Sequence, residues 1–260
     1  MPKRELIRGL GHPASVLVIG ATGGVGGSAV ALLLAEYAVE RVIAASRSGS
    51  RSEMLVSLAQ SSAGRLTVDQ VDITDEASLA ALSERIGAHT SRLHLVLNCA
   101  GRLHDAVLVP EKTVAGVTRA SLEASFAVNA FGPILLAKAL LPLLRHGEPA
   151  VFASISARVG SIGDNRLGGW YAYRAAKAAQ NQLLKTFSIE LARVNKRAAC
   201  LLLHPGTVDT ALSRPFQRGV SPEKLFSPER AARQLLEIIA RSGPESSGSF
   251  VAWDGSLIPW

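Results

Sequence analysis

An α/β fold with a doubly wound, seven-stranded parallel sheet in a single domain is predicted from three observations. Seven short β-rich runs alternate with helix-length segments along the chain. Several of those runs are apolar on both alternating faces, the pattern of a strand covered on both sides. Hydrophobic residues make up 48% of the 260 residues and charged ones only 19%, which is enough apolar surface for one large core and the opposite of a disordered chain.

The runs Ser15–Gly20, Glu40–Ala45, Leu66–Asp72, Leu93–Asn98, Ala150–Ile155, Ala198–His204 and Ser249–Ala252 are the predicted strands. Helices are predicted near 25–38, 52–62, 75–87, 119–144, 170–194 and 227–241, with Pro133 and Pro142 kinking or ending the fourth. Residues 1–13 form a short N-terminal arm, and 14–260 form the domain. The longest irregular stretch, 204–226, follows the sixth strand and carries Pro205, Gly206, Pro215, Gly219 and Pro222. Ligands bind outside the carboxyl ends of strands in open α/β sheets, so this stretch is expected to be a substrate lid.

A net charge of +7 and a pI of about 9.8 suit an anionic partner. The basic residues are scattered, without a long block or interleaved aromatics, so no nucleic acid is expected and a phosphate-bearing cofactor is favoured. Cys99 and Cys200 both fall in apolar runs and give no disulfide framework. No uninterrupted apolar stretch reaches the roughly 18 residues of a membrane span, and the basic opening has no apolar signal core. A cytoplasmic protein with no membrane partner is expected, although a remnant of an organelle transit peptide is also compatible with residues 1–13. No residue is assigned to a metal.

The first predicted strand runs into Gly20-Ala21-Thr22-Gly23-Gly24-Val25-Gly26-Gly27 and then a helix. A tight turn exposing bare backbone N–H groups at a helix N-terminus is the arrangement that binds pyrophosphate. The spacing fits two patterns: Gly20, Gly24 and Gly26 make GxxxGxG, whereas Gly20, Gly23 and Gly26 make GxxGxxG. The second strand ends in Ala45-Ser46-Arg47-Ser48, with Arg51 four residues after Arg47. A carboxylate there would repel a ribose 2′-phosphate, whereas a guanidinium pairs with one, so Ser46 and Arg47 point to NADP(H).

Tyr173 and Lys177 are four residues apart in a strongly helical segment, so they share one helix face. An ammonium close to a phenol favours the phenolate and lowers the phenol's pKa.

These residues stand in company that resembles the short-chain dehydrogenase/reductase family over essentially the whole chain. The matches are the glycine loop at 20–26, Asp72-Ile73, Asn98-Cys99-Ala100-Gly101 (the family's NAG with one insertion), Asn129, Tyr173/Lys177 and Pro205-Gly206-Thr207. The NAG element and the length favour the first glycine pattern. The stretches 160–182 and 204–217 and the terminal DGSLIPW are similar to the C-factor-like carbonyl reductases.

The resemblance implies a Rossmann fold and an NADPH-dependent hydride transfer to a small carbonyl substrate. Tyr173 would be the acid/base, Lys177 would hold the nicotinamide ribose, and Asn129 would order a water relay. Gly20, Thr22, Gly24, Val25 and Gly26 would surround the pyrophosphate, and Asp72 and Ile73 the adenine. Asn98, Ala100 and Gly101 would meet the adenosine-side ribose, and Pro205, Gly206 and Val208 the carboxamide. A homodimer or homotetramer is implied as well.

One position departs from the family. A serine three residues before Gly160 would bind the substrate oxygen, and here that position is Ala157. Ser156 is the candidate replacement, although strand alternation points it to the opposite face unless the strand end twists. Ser161 is the other candidate, and Ser154 is expected in the core. The alternative function is a non-enzymatic NADP-binding regulator or scaffold. A nucleotide-sugar epimerase or dehydratase is disfavoured by length and by the NAG element.

Overall fold

Every residue of strand β1 (Ala14–Ile19) and of β4 (Leu95–Asn98) is buried, because both lie in the middle of a sheet covered on two faces. The structure, a computed structural model, describes residues 3–105 and 108–260. Its main sheet has seven parallel strands in the order β3 (Leu66–Gln70), β2 (Val39–Ser46), β1, β4, β5 (Ala150–Ile155), β6 (Ala198–His204) and, last in this sheet, Ser249–Ala252. The chain builds outward in one direction as far as β3 and then in the other from β4. The reversal lies between β1 and β4, which is where an α/β sheet opens a ligand crevice.

Side chains alternate across the strands and feed two cores. Leu95 and Leu97 pack with helices α1 (Gly24–Glu36) and α2 (Glu53–Ser61), together with a helix at Pro228–Arg241. Val96 and Phe152 pack on the other face with α3 (Glu76–Gly87) and with helices at Gly132–Leu144 and Tyr171–Val194.

The helix predicted over 119–144 is divided. α4 (Arg119–Phe126) passes through a π turn at Ala127–Phe131 into α5 (Gly132–Leu144). The Gly132 N–H bonds the Ala127 carbonyl, five residues back. Pro133 has no N–H for the carbonyl of Asn129, so the widened turn precedes the proline. Pro142 stays inside α5, which ends two residues later. By length and composition the whole run 119–144 could cross a bilayer, a feature that no unbroken apolar stretch in the sequence foretold. Leu136, Leu140 and Leu144 are nevertheless part of the core.

Both ends of β1 and of β2 shift by one residue, and two other predicted strand ends move by two. β3 stops at Gln70 because the Asp72 carboxylate turns the chain, accepting from the Thr74 N–H (2.9 Å) and hydroxyl (2.7 Å). β4 starts at Leu95 rather than Leu93. In the segment taken as an arm, Leu6, Ile7 and Leu10 are buried in the core, and Arg4 N donates to the Glu36 carbonyl at 2.8 Å.

After β6, the helix α6 (Tyr171–Val194) having come before it, the lid segment is tied at its base. β7 (Thr207–Val208) pairs with β8 (Leu225–Phe226), and single 3₁₀ turns lie between them at Arg214–Phe216 and Pro222–Lys224. Helix α7 (Pro228–Arg241) then leads to β9 (Ser249–Ala252) at the sheet edge.

Candidate active site

The carboxyl ends of the strands open into two adjoining cavities of about 650 and 530 Å³, which share the walls Gly23, Cys99, Ala100 and Gly101. The first runs from the β1 turn past Ser46 and Arg47 to Asp72 and Ile73. The second runs from Gly24, Val25 and Gly26 to Ala157, Tyr173, Lys177, His204 and the lid residues Pro205, Gly206 and Val208. Together they make one elongated crevice with a polar end and an apolar end.

Between them lies the glycine turn. Gly20 has φ +74°, and a Cβ there would stand 2.8 Å from the Ala100 nitrogen. A Cβ on Gly26 would lie 2.4 Å from the Gly20 carbonyl oxygen, and one on Gly24 would lie 2.8 Å from Thr210 Cγ2 in the lid. A Cβ on Gly23 would be less crowded, at 3.2 Å. The sterically demanding set is therefore Gly20, Gly24 and Gly26, the first of the two spacings. Helix α1 begins here with no side-chain cap and no acidic residue in its first turn. Its N–H groups and dipole are left for an anion. Thr22 lies on the rim of the first cavity.

At the polar end the Ser46 hydroxyl is buried without a hydrogen-bond partner. Arg47 is exposed, and its guanidinium makes no hydrogen bond or ion pair among the described residues. The Thr74 N–H and hydroxyl, with the nearby charge of Arg47, hold the Asp72 carboxyl below the usual range. Arg51 ends a 3₁₀ turn outside the cavity lining. A glycine cradle, an orphaned hydroxyl and an unpaired guanidinium fit a phosphorylated dinucleotide.

Three consecutive left-handed residues, Gly168, Gly169 and Trp170 (φ 64°, 66° and 53°), deliver the chain into α6. For a bulky residue this is a strained conformation, held here by its surroundings. Glu111 crosses from the loop after β4 to the start of α6, where it accepts from the Ala172 N–H at 3.2 Å and from the Ser121 hydroxyl at 2.8 Å. Tyr173 and Lys177, one turn apart, are both buried, with Lys177 Nζ 5.9 Å from the centre of the Tyr173 ring.

Lys177 Nζ donates to the Ile155 carbonyl (2.9 Å) and to Gln180 Oε1 (2.8 Å). Gln180 and Asn98 both donate to the Ser154 hydroxyl oxygen at 2.9 Å, and Asn98 Oδ1 accepts from the Ala100 N–H at 3.1 Å. Ser154 is thus a core residue, as its position suggested. Asn98, expected at the cofactor ribose, lines neither cavity and instead shapes the Ala100–Gly101 loop. Burial pushes Lys177 down to about 7 and pushes Tyr173 up. The expected net lowering of the phenol by its lysine is not seen, because burial raises it instead.

Asn129 sits in the π turn and also lines neither cavity. Its Oδ1 accepts from the Arg102 N–H (3.0 Å), and its Nδ2 donates to the Arg102 carbonyl (2.6 Å) and the Ser125 carbonyl (3.0 Å). Its side chain clamps the loop that carries Gly101.

The Ser156 hydroxyl is hydrogen-bonded to Asn181 Oδ1 at 2.6 Å, which is an acceptor only, so the one hydroxyl proton points into α6. Ser156 is therefore corrected from a catalytic donor to a sheet–helix tie, as strand alternation warned. Ser161 accepts from the Asp164 N–H at 3.0 Å, away from the crevice lining. Ala157 itself faces the second cavity.

Three residues that the sequence did not single out complete the site. His204, at the end of β6, lines the second cavity and accepts from the Arg158 N–H at Nδ1 (3.4 Å). The Trp170 indole packs edge-on to Phe216 (4.8 Å between ring centres) and near Tyr173 (6.3 Å). His104 Nε2 lies 3.2 and 3.1 Å from the carbonyls of Ala211 and Leu212 and ties the segment after β7 to the loop after β4. The GGW triplet was the visible signal for Trp170. The two histidines carried none, since their partners are backbone atoms distant in sequence.

At the opposite end of the sheet, His12, His94 and Glu148 bring ligand atoms within 4.8 Å of one another. The Ser15 N–H donates to His94 Nδ1 at 3.0 Å, so the neutral ring carries its proton on Nε2, 2.8 Å from Glu148 Oε2. That nitrogen then has no lone pair for a cation.

A family model described as short chain dehydrogenase matches residues 14–220. The 1-hydroxy-2-glutathionyl-2-methyl-3-butene dehydrogenase of Rhodococcus sp. (strain AD45) is 34% identical over 199 residues, 76% of this chain and 82% of its own. C-signal of Myxococcus xanthus is 35% identical over 144 residues, covering 55% of this chain and 81% of its own. The NADPH-bound carbonyl reductase from chicken fatty liver superposes with a TM-score of 0.84 at 28% identity, covering 96% of this chain and 100% of that one.

Proposed function

The chain belongs to the short-chain dehydrogenase family, and from that premise we propose that it is an NADPH-dependent carbonyl reductase with Tyr173 as its acid. The observation that carries this reading is the buried pair Tyr173 and Lys177 on the wall of the apolar cavity, beside a glycine cradle open to an anion.

Gly20, Gly24, Val25 and Gly26 would hold the pyrophosphate against the α1 N-terminus, with Ser46 and Arg47 at the 2′-phosphate and Asp72 and Ile73 at the adenine. NADPH, when bound, supplies a hydride to the substrate carbonyl carbon. Tyr173 donates its phenolic proton to the carbonyl oxygen, and its raised pKa keeps that proton in place until negative charge develops there. Lys177, anchored on Ile155, is placed to bind ribose hydroxyls and to stabilise the phenolate left behind. Asn129 would act through the loop that its side chain clamps at Arg102, beside Gly101. Trp170, Phe216 and Leu212 exclude water from the substrate end.

Loss of absorbance at 340 nm with a panel of aldehydes, ketones and quinones tests the assignment, with Tyr173→Phe as the control. The second reading, an NADP-binding scaffold, is favoured by one observation: the Ser156 hydroxyl, although Ser156 lines the second cavity beside Ala157, gives its proton to Asn181. It requires tight NADPH binding with no turnover on any carbonyl. The family premise also makes a homodimer or homotetramer the expected assembly, which light scattering would resolve.

A further inference from the structure

Resting on the reductase reading, we propose that His204 supplies the second hydrogen-bond donor to the substrate carbonyl oxygen, through Nε2–H, where the family's serine is replaced by Ala157. The sheet itself brings the two positions together. Ile155 is paired with Leu203, and the Ser156 N–H continues the ladder to the Leu203 carbonyl at 2.8 Å. His204 follows at once, and its ring meets the backbone N–H of Arg158, the residue after Ala157. The imidazole thus stands against the piece of chain from which a serine hydroxyl would have projected.

The Arg158 N–H fixes the tautomer. An Nδ1 that accepts a hydrogen bond holds a lone pair, so the proton of the neutral ring is on Nε2. That nitrogen has no hydrogen-bond partner among the described residues. Nor is it one of the buried orphan atoms, which are Tyr37 Oη, Ser46 Oγ and Gln234 Oε1. The nitrogen is thus not sealed in the interior, and His204 lines the same cavity as Ala157 and Tyr173. Burial holds the ring in its neutral form, pushing its pKa down to about 4, with the charge of Arg158 acting the same way and Asp254 opposing. A neutral imidazole is a donor that keeps its proton. Hydride reaches the carbonyl carbon from NADPH, Tyr173 delivers the proton to the oxygen, and His204 only hydrogen-bonds the developing oxyanion.

Other polar side chains near the site are committed. Ser156 bonds Asn181, Lys177 bonds Ile155 and Gln180, and the Arg158 guanidinium bonds Asp164 at 2.9 Å. Two competitors line the same cavity, the indole N–H of Trp170 and the hydroxyl of Thr207.

The experiment takes wild type, His204→Phe, His204→Gln and Trp170→Phe, with Ala157→Ser added to wild type and to His204→Phe. Absence of NADPH-dependent turnover in wild type would defeat the reductase reading itself, and the rest is read only against an active wild type. The proposal expects His204→Phe to lose about 10² in kcat, with NADPH Kd within twofold. It expects His204→Gln, which keeps an N–H at that reach, to recover at least tenfold of the loss. Ala157→Ser should gain at least tenfold more in the His204→Phe background than in wild type, the coupling expected of two donors to one oxygen. His204→Phe within threefold of wild type, equal serine gains in both backgrounds, or a loss confined to Trp170→Phe would each overturn it. Should His204→Phe fail to fold, Gln and Asn at position 204 carry the comparison. Only the longer amide reaches as far as Nε2, and equal kcat in the two would overturn the proposal.

Discussion

Lys177 Nζ lies 2.9 Å from the carbonyl oxygen of Ile155, so the ammonium of helix α6 is pinned to the last residue of strand β5. Burial lowers its pKa from 10.5 to about 7. Between those values the unfolded chain binds more protons than the folded one, so stability rises with pH across that window and is flat below it. Urea unfolding of the free protein should show a midpoint that rises from pH 7 to about 9, and Lys177→Met should flatten the rise. Above that the thiols of Cys99 and Cys200, raised from 9.0 by burial, work the other way.

Among the described residues, Arg47 has no hydrogen-bond or ion-pair partner at the polar end of the crevice. Arg47→Ala is expected to weaken NADPH binding at least tenfold while NADH affinity stays within twofold, since a charge-assisted contact to a 2′-phosphate contributes roughly 1.5–3 kcal/mol. Calorimetric titration of both cofactors checks this, and equal wild-type affinities would sink the assignment.

Tyr173→Phe removes one hydroxyl at a site that is otherwise packed. It should fold, bind NADPH as wild type does, and lose ~10²–10⁴ in kcat, the usual contribution of general-acid catalysis. Retention of more than a tenth of the activity would move the chemistry elsewhere. Tyr171 is the other candidate, but it is exposed on the helix and has Ala175, not a lysine, four residues on.

Gly26→Ala would drive a methyl to 2.4 Å from the Gly20 carbonyl. The clash is with backbone and has no flexible side chain to absorb it, so the turn must open. NADPH affinity should fall by at least tenfold and the melting temperature should drop, whereas Gly27→Ala, which meets the movable end of Met54, should do far less.

His204 gives an acid-side signature independent of catalysis. Its pKa is lowered from 6.5 to about 4 by burial, so the stability of the neutral form is fully present above pH 6.5 and is lost as pH falls through the window to 4. His204→Gln should lose part of the acid sensitivity seen over that window by denaturant titration.

The sheet was legible because alternation and two-sided burial are local patterns, and all seven strands fall where the runs stood, within a few residues at their ends. The fourth helix was expected to kink or end at its prolines, but the π turn itself was not foreseen because it leaves no periodicity of its own, only a proline two residues after it. The glycine cradle, Arg47, Tyr173 and Lys177 were visible as spacings. Asn98 was assigned to the cofactor ribose and Asn129 to a water relay, yet their amides are committed within the fold, Asn98 to Ser154 and Ala100 and Asn129 to Arg102 and Ser125. A buried amide satisfied by the loop it shapes looks the same in sequence as one waiting for a ligand. Ser156 was misplaced for the opposite reason: alternation had already pointed it to α6, and only the need for a donor argued against that.

The two-residue ladder of β7 and β8 brings Val208 and Phe226 side by side, with Asp209 N donating to the Phe226 carbonyl at 2.8 Å. Everything between is an insert whose ends are already closed. Closure entropy grows only with the logarithm of loop length, about 0.6 kcal/mol per doubling. Residues 210–224 could therefore be lengthened, shortened or exchanged as a cassette with little cost to the sheet. Tyr173, Lys177 and the glycine turn lie outside that cassette, so on the proposed reading a change of substrate preference could evolve by swapping one segment while the hydride chemistry is inherited intact.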